Sequence, residues 1–339
     1  MEFAITFRGD LEKERVVAIC RQAEAAGFDY AWFFDSHVLW RDLYPQMAVA
    51  IEHTSRLRFG PCVTNPVTRD WSVAASLFGA MAVQSEGRFD MGVGRGDSAV
   101  RVIGKRPATV ARLEEFCRAM KALVRGDAVS YAGAPEPVQF DWTGGYEMPV
   151  WIAAYGPRAL AAAGRVGDGL IVQLADVGLC QWMGNQARAA GAAEGRDMAG
   201  YRVMACAPVW VGDRETGIAQ TKWFPALVGN HVADIVKHHG AGTDLVPASL
   251  TSYIARRDGV GADEGYDYHQ HTALESDNSA YVTPEITEDF CVIGPAEAHV
   301  EKIRALEAAG VTQFNIYLTN GGEEQIVAAY ADHVLPHFR

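Results

Sequence analysis

FGPCVTNPVTRD, residues 59–70, begins as a strand and stops abruptly. The apolar run from Leu57 to Val63 has the composition of a buried strand, but Pro61 lies inside it and Thr64-Asn65-Pro66 ends it. A proline within a strand removes a ladder donor and marks an edge or a bulge. No polar surface loop follows. The chain resumes at once with WSVAASLFGAMAVQS, 71–85, which reads as a helix. A strand broken at its end and followed directly by a helix is one unit of a longer alternation.

Outward from that unit the same rhythm recurs. Strands are expected at Phe3–Phe7, Phe28–Phe34, Leu57–Val63, Phe89–Val93, Pro149–Ala154, Gly169–Gln173, Tyr201–Val211 and Phe314–Leu318. Helices are expected at Glu12–Ala26 (ended by Gly27), Pro45–Thr54, Trp71–Ser85, Ala108–Val124, Pro157–Val166, Gln181–Ala193, Ala296–Ala309 and Glu323–Leu335. Ile293 carries a further apolar strand fragment, and 126–148, rich in Gly, Pro and Asp, reads as a hairpin or excursion. Eight strand–helix alternations imply an α/β fold, a (β/α)8 TIM barrel spanning 1–339 as one domain. An open doubly wound sheet is the alternative, because periodicity does not say which strands are neighbours. Residues 213–292 leave the rhythm and read as an insertion or lid between strands 7 and 8, at the end of the barrel where active sites lie.

Composition narrows the function classes. The 339 residues are 49% hydrophobic and 21% charged, with a net charge of −12. That balance suits a globular protein and argues against nucleic-acid or anionic-membrane partners. No apolar run reaches the roughly 18 residues of a membrane span. The start, MEFAITFRGDLEKER, lacks the cationic-then-apolar layout of a signal peptide, so a cytoplasmic location is expected. Six scattered cysteines without a C-x-x-C pair suit buried thiols in a reducing compartment.

In a barrel the chemistry sits at the carboxyl ends of the strands. After strand two come Asp35, His37 and Trp40; after strand three, Cys62, Val63, Thr64 and Asn65; after strand four, Asp97 flanked by arginines. After strand five, Tyr155-Gly156-Pro157-Arg158 opens a helix whose orphan N–H groups and dipole favour an anion such as phosphate. GVGRGD lacks the G-x-G-x-x-G spacing of a dinucleotide site. Asp35 or Ser36, and Asp97, are alternatively plain helix N-caps. Asp35, His37, His238, His239, His269 and His271 could gather at one rim as metal ligands, but the first strand ends FRGD and lacks the H-x-H of metal-dependent barrel hydrolases; no metal is expected. Within the insertion, Tyr268, His269 and His271 read as substrate contacts, and Trp40 as a stacking or rim-filling residue.

These stretches, in order DSH with Trp40, GPCVTNPVTRD, RFDMGVGRGDS and PVWIAAYGPRALAAAGRVGDGLI, resemble the bacterial luciferase-like family of flavin- and deazaflavin-dependent oxidoreductases. The subgroup typified by methylenetetrahydromethanopterin reductase is the most similar. The resemblance covers about 1–210 and 285–335, and it implies the same barrel with an excursion before the last strand. It answers the question of the broken strand: a non-proline cis peptide at Cys62–Val63, forming a bulge that presses on the back of the cofactor ring. It implies Thr64 and Asn65 at the ring's polar edge, and Tyr155, Gly156, Pro157 and Arg158 at its phosphate. Asp35, His37 and Asp97 are implied as catalytic proton carriers, although Ser36 separates the Asp and His that are adjacent in relatives. The activity implied first is a two-component monooxygenase, taking reduced FMN from a separate flavin reductase and acting with O2 on a small organic substrate, a heterocycle among the expected classes. The alternative is hydride transfer with coenzyme F420; a non-catalytic flavin-binding barrel and a metal-dependent hydrolase stand behind both. Relatives often form homodimers.

Overall fold

The structure, a computed structural model, describes residues 1–131, 133–239, 248–259, 266–319 and 321–339. It opens with β1 (Glu2–Phe7), α1 (Lys13–Ala26), β2 (Tyr30–Phe33), α2 (Leu43–Glu52), β3 (Arg58–Pro61), α3 (Trp71–Gln84) and β4 (Met91–Val93). There follow α4 (Ser98–Arg101), α5 (Val110–Arg125), β5 (Val150–Ala153), α6 (Pro157–Val166), β6 (Gly169–Val172), α7 (Val177–Ala193) and β7 (Arg202–Ala207). The excursion holds β8 (Val209–Val211), α8 (Arg214–Thr221), α9 (Trp223–His239), α10 (Ala248–Gly259), α11 (Pro284–Phe290), β9 (Val292–Gly294) and α12 (Ala296–Ala308). Strand β10 (Gln313–Leu318) and helix α13 (Glu323–His333) complete the ring.

The hydrogen-bonded order β3-β2-β1-β10-β7-β6-β5-β4 is parallel throughout, with Phe3 opposite Phe314, Ile5 opposite Ala31 and Ile171 opposite Met204. Isolated parallel bridges, Phe59 to Phe89 and Thr64 to Val93, join β3 to β4 and bring the two ends together. This is the (β/α)8 barrel, and the open-sheet alternative is set aside. The helices start where the sequence supplies caps: Asp42, Asp70 and Asp176 each accept a backbone N–H in the first turn of α2, α3 and α7. Two of those caps extend helices beyond expectation, to Leu43 and to Val177. Gly27 closes α1 in the left-handed region at φ 89°.

The broken strand is explained by the seam. Phe59 donates to the Arg88 carbonyl and accepts from Asp90 N–H, just ahead of β4, and pairing resumes when Thr64 N–H donates to the Gly92 carbonyl and its carbonyl accepts from Gly94 N–H, both 2.9 Å. Between them Pro61 has no N–H to give, and the Cys62–Val63 peptide is cis. Strand β3 therefore ends at Pro61 rather than Val63. The expected long strand 201–211 is likewise divided at Pro208: β7 stays in the barrel, while β8 leaves it to pair in parallel with β9. That two-stranded clasp brackets the excursion, and Ile293 belongs to it. In 126–148 an antiparallel bridge joins Val129 to Val138.

The barrel's amino end is sealed by charge. Asp90, fully buried, accepts from Arg58 Nε at 3.0 Å and Trp151 Nε1 at 2.8 Å, and pairs with Arg202 at 3.5 Å. Tyr30 stacks flat on Trp32 at 5.3 Å, and Arg202 lies 4.1 Å over the Trp151 ring. The carboxyl end, where a barrel of this kind carries its chemistry, is therefore the place to look for a site.

Candidate active site

At the carboxyl end, the barrel interior is polar but uncharged. The Tyr155 hydroxyl donates to Gln173 Oε1 at 3.1 Å, and Gln173 Nε2 donates to the Tyr317 hydroxyl at 2.7 Å. Asn315 donates to Cys206 Sγ at 3.6 Å and accepts from Thr6 Oγ1 at 2.8 Å. Burial pushes the Tyr155 and Tyr317 phenols and the Cys206 thiol well above their ordinary values, so all three stay neutral. Cys62, on the bulge, belongs to the same cluster, next to Cys206. Gln173, Cys206, Asn315 and Tyr317 were not singled out from sequence, because inward-facing polar residues inside an apolar strand carry no local signature.

The excursion closes on this rim through Asp97. Its carboxylate sits at the start of α4 without capping it. It accepts from Tyr268 Oη at 2.8 Å, His231 Nε2 at 3.0 Å, Asn230 Nδ2 at 3.4 Å and Arg101 Nε at 2.9 Å. Burial alone raises a carboxyl's value, but the His231 ring and the bonds from His231 and Tyr268 outweigh it, holding Asp97 well below the usual carboxylate range. The other face of His231 lies on Tyr155, ring centroids 5.6 Å apart, with Nδ1 3.5 Å from the phenol oxygen. His271 packs 6.5 Å from His231 and 6.4 Å from Trp40, and Tyr266 bonds its Nδ1 at 2.9 Å. Burial, with His231 nearby, pushes His271 down to about 4.

The residues expected from sequence therefore divide. Asp97, Tyr155, Tyr268, His271, Trp40 and Cys62 converge, with Trp40 stacked on Phe34 at 5.5 Å and Phe34 edge-on to Tyr317 at 5.0 Å. Val63 flanks the glycine turn after β4: a Cβ on Gly94 would lie 3.1 Å from it. Thr64 and Asn65 are buried, and Asn65 Oδ1 accepts from Val67 and Thr68 N–H, closing the TNP turn. Asp35 is buried and held by Arg69 at 2.6 Å, with its second oxygen unpartnered among the described residues. His37 is exposed and makes no hydrogen bond there; His269 is exposed, its backbone N–H bound by Asp267. Gly156 begins α6 without a side-chain cap, Pro157 follows at the first position, and Arg158 is exposed on a cleft of about 440 Å³ between α5 and α6. His231 and Asn230, central to the arrangement, sit inside α9 in a stretch whose fold the sequence did not disclose. Among the described residues no group of three or more His, Cys, Asp or Glu could hold a metal; the side chains of His238 and His239 lie outside them. Among the described residues no helix is long and apolar enough to cross a membrane.

The chain can now be compared with known proteins. The family model described as luciferase-like monooxygenase matches residues 2–313. A 5,10-methylenetetrahydromethanopterin reductase of Archaeoglobus fulgidus is 26% identical over 326 residues, 92% of either chain. An F420-dependent hydroxymycolic acid dehydrogenase of Mycobacterium tuberculosis is 32% identical over 201 residues, 54% of this chain and 55% of that one. The coenzyme F420-dependent tetrahydromethanopterin reductase of Methanopyrus kandleri superposes with a TM-score of 0.77 over 100% of this chain and 99% of its own, at 22% identity, and shares the fold. These relatives correct one expectation. They are named as reductases and F420-dependent dehydrogenases, which overturns the reading as an FMN monooxygenase served by a flavin reductase and favours the alternative cofactor.

Proposed function

The chain belongs to the luciferase-like monooxygenase family, and within it we propose a coenzyme F420-dependent oxidoreductase that transfers a hydride to or from a small organic substrate. The relatives' names carry this reading: a reductase matched over nine-tenths of the chain and an F420-dependent dehydrogenase matched over about half of it. Two features of the site fit a large planar cofactor with an anionic tail. The buried Asp35 keeps one carboxylate oxygen, an acceptor, without a donor among the described residues, and at Gly94 a Cβ would crowd Val63. Around it, in a chain of net charge −12, the exposed Arg95, Lys105 and Arg106 follow β4, and the uncapped start of α6 carries Arg158.

When bound, the deazaflavin supplies or takes up the hydride. Cys62 and Val63 would form the wall behind it, Thr64 and Asn65 would line its polar edge, and Gly156 with Arg158 would hold its phosphate. Trp40, Tyr268 and His271 face the substrate side and exclude water. Asp97, held ionised by its partners, orients the donors around it.

Titration of the purified protein with F420 and with FMN, followed by fluorescence, tests the cofactor. Saturable binding of F420 is expected. Reversing Lys105 and Arg106 together to Glu is expected to raise its Kd about tenfold, roughly 1.4 kcal/mol, with the difference shrinking at high salt. Saturable FMN binding with none for F420 would sink the proposal.

A further inference from the structure

Helices α5 and α6 both begin at the carboxyl end of the barrel, and a cleft of about 440 Å³ lies between their first turns. Its walls follow from helical spacing. Pro157, Arg158, Ala161 and Arg165 recur three and four residues apart along one face of α6, and Val110, Ala111 and Glu114 do likewise on α5. Alanines stand midway along both walls, so a groove stays open where larger side chains would fill it. Arg158 is exposed at its upper end. Arg165, half-buried, follows seven residues later, about 10 Å along the helix axis.

The cleft carries excess positive charge. Glu114 is the one acid among its lining residues, and it accepts from Arg165 Nη2 with one oxygen and from Arg118 Nη2, at 3.3 Å, with the other. A guanidinium offers five N–H groups, so one shared carboxylate does not saturate Arg165. Lys105 and Arg106 are exposed in the loop leading into α5. This local surplus stands out in a chain of net charge −12. At its top the groove adjoins Gly156, where α6 starts without a side-chain cap. Small apolar walls with an arginine at either end suit an extended chain of methylenes bearing spaced carboxylates.

We propose that the cleft between α5 and α6 seats the glutamate tail of the deazaflavin cofactor, with Arg158 and Arg165 pairing with its carboxylates. The inference rests on the F420 reading above and extends it from the phosphate at Gly156 down the face of α6. Beyond its phosphate, F420 carries a lactyl group and glutamates joined through their side-chain carboxyls, each leaving its α-carboxylate free. About two extended units cover the roughly 10 Å between the two arginines. Their methylenes would lie on Val110, Ala111 and Ala161. Pairs at a half-open cleft contribute modestly, so the tail adds to affinity rather than deciding it.

The test is a fluorescence titration of the purified protein with three deazaflavins: the riboside without phosphate or tail, the form ending at the phospholactyl group, and the glutamylated form. At low salt the glutamylated form is expected to bind about fivefold more tightly than the phospholactyl form, the worth of two half-exposed ion pairs. That gain is expected to shrink at high salt. Arg165→Gln removes the lower charge while Arg118 remains to pair with Glu114. Ala161→Phe keeps every charge and fills the groove. Each variant is expected to bind the phospholactyl form within about twofold of the parent and to lose most of the glutamate gain. Equal affinity of the parent for the two forms at low salt overturns the inference. So do variants that keep the gain, or that weaken both forms alike. Binding of the phospholactyl form by the parent leaves the cofactor reading intact in each of those cases. Failure of the parent to bind any of the three deazaflavins is the distinct result that removes the cofactor reading itself.

Discussion

A buried histidine far from the mouth shows how much a single side chain can set. His299 is fully buried, with Nε2 donating to the Trp210 carbonyl at 3.0 Å and Nδ1 accepting from the Tyr330 hydroxyl at 2.8 Å. Burial holds its value at about 4, against 6.5 for a free imidazole. Between those values the unfolded chain takes up a proton that the folded one refuses. Stability is therefore expected to be whole above pH 6.5 and to fall as pH drops towards 4, by up to about 1.4 kcal/mol per pH unit. His271 acts in the same direction. Chemical denaturation from pH 7 to pH 4 checks this, and His299→Gln, which retains both bonds without titrating, is expected to flatten the slope. Residue identities of this kind were only partly legible. Asp97 and Tyr155 were visible because they follow strands, whereas His37, equally placed in sequence, is exposed. Position after a strand marks the rim; it does not say which way a side chain turns.

Helices and strands were easier to read, since caps and periodicity are local. Their errors have local causes too: Asp42 and Asp176 start helices earlier than apolar spacing suggested, and Pro208 diverts one strand into two pairings. What elements do to one another is less visible. Gly164 of α6 meets α7 so closely that a Cβ there would overlap the Ala187 carbonyl oxygen and press on the Gly191 backbone at 2.9 Å. Backbone cannot yield as a side-chain tip can. Gly164→Ala is expected to cost about 1–3 kcal/mol, read as a lower urea midpoint with an unchanged slope. The alanine-rich sequence around it reads simply as a good helix, and nothing in it announces a close crossing.

At the scale of the molecule, the two ends of the barrel do different work. The amino end is closed by the buried Asp90 between Arg58 and Arg202, with Tyr30 and Trp151 completing its bonds across five strands. Removing one partner leaves buried charge uncompensated. Asp90→Asn is expected to destabilise the fold by about 3–5 kcal/mol while leaving F420 affinity unchanged, because the site lies at the other end. Thermal melting with a cofactor titration checks both halves; a loss of affinity without a loss of stability would contradict this division.

Order along the chain was enough to establish the alternation, hence the barrel, the end at which chemistry gathers, and the place of the excursion. Those follow from short-range physics: side-chain periodicity, capping, and the ban on proline in a ladder. The proposed cofactor came from the relatives' names, because nothing in the order of residues distinguishes a flavin from a deazaflavin. The Asp97–His231–Tyr155 line emerged only when the chain was folded, since it joins residues 58 to 134 positions apart. Contacts over such separations are made by packing α9 against the rim, and no spacing within a helix encodes what lies across from it.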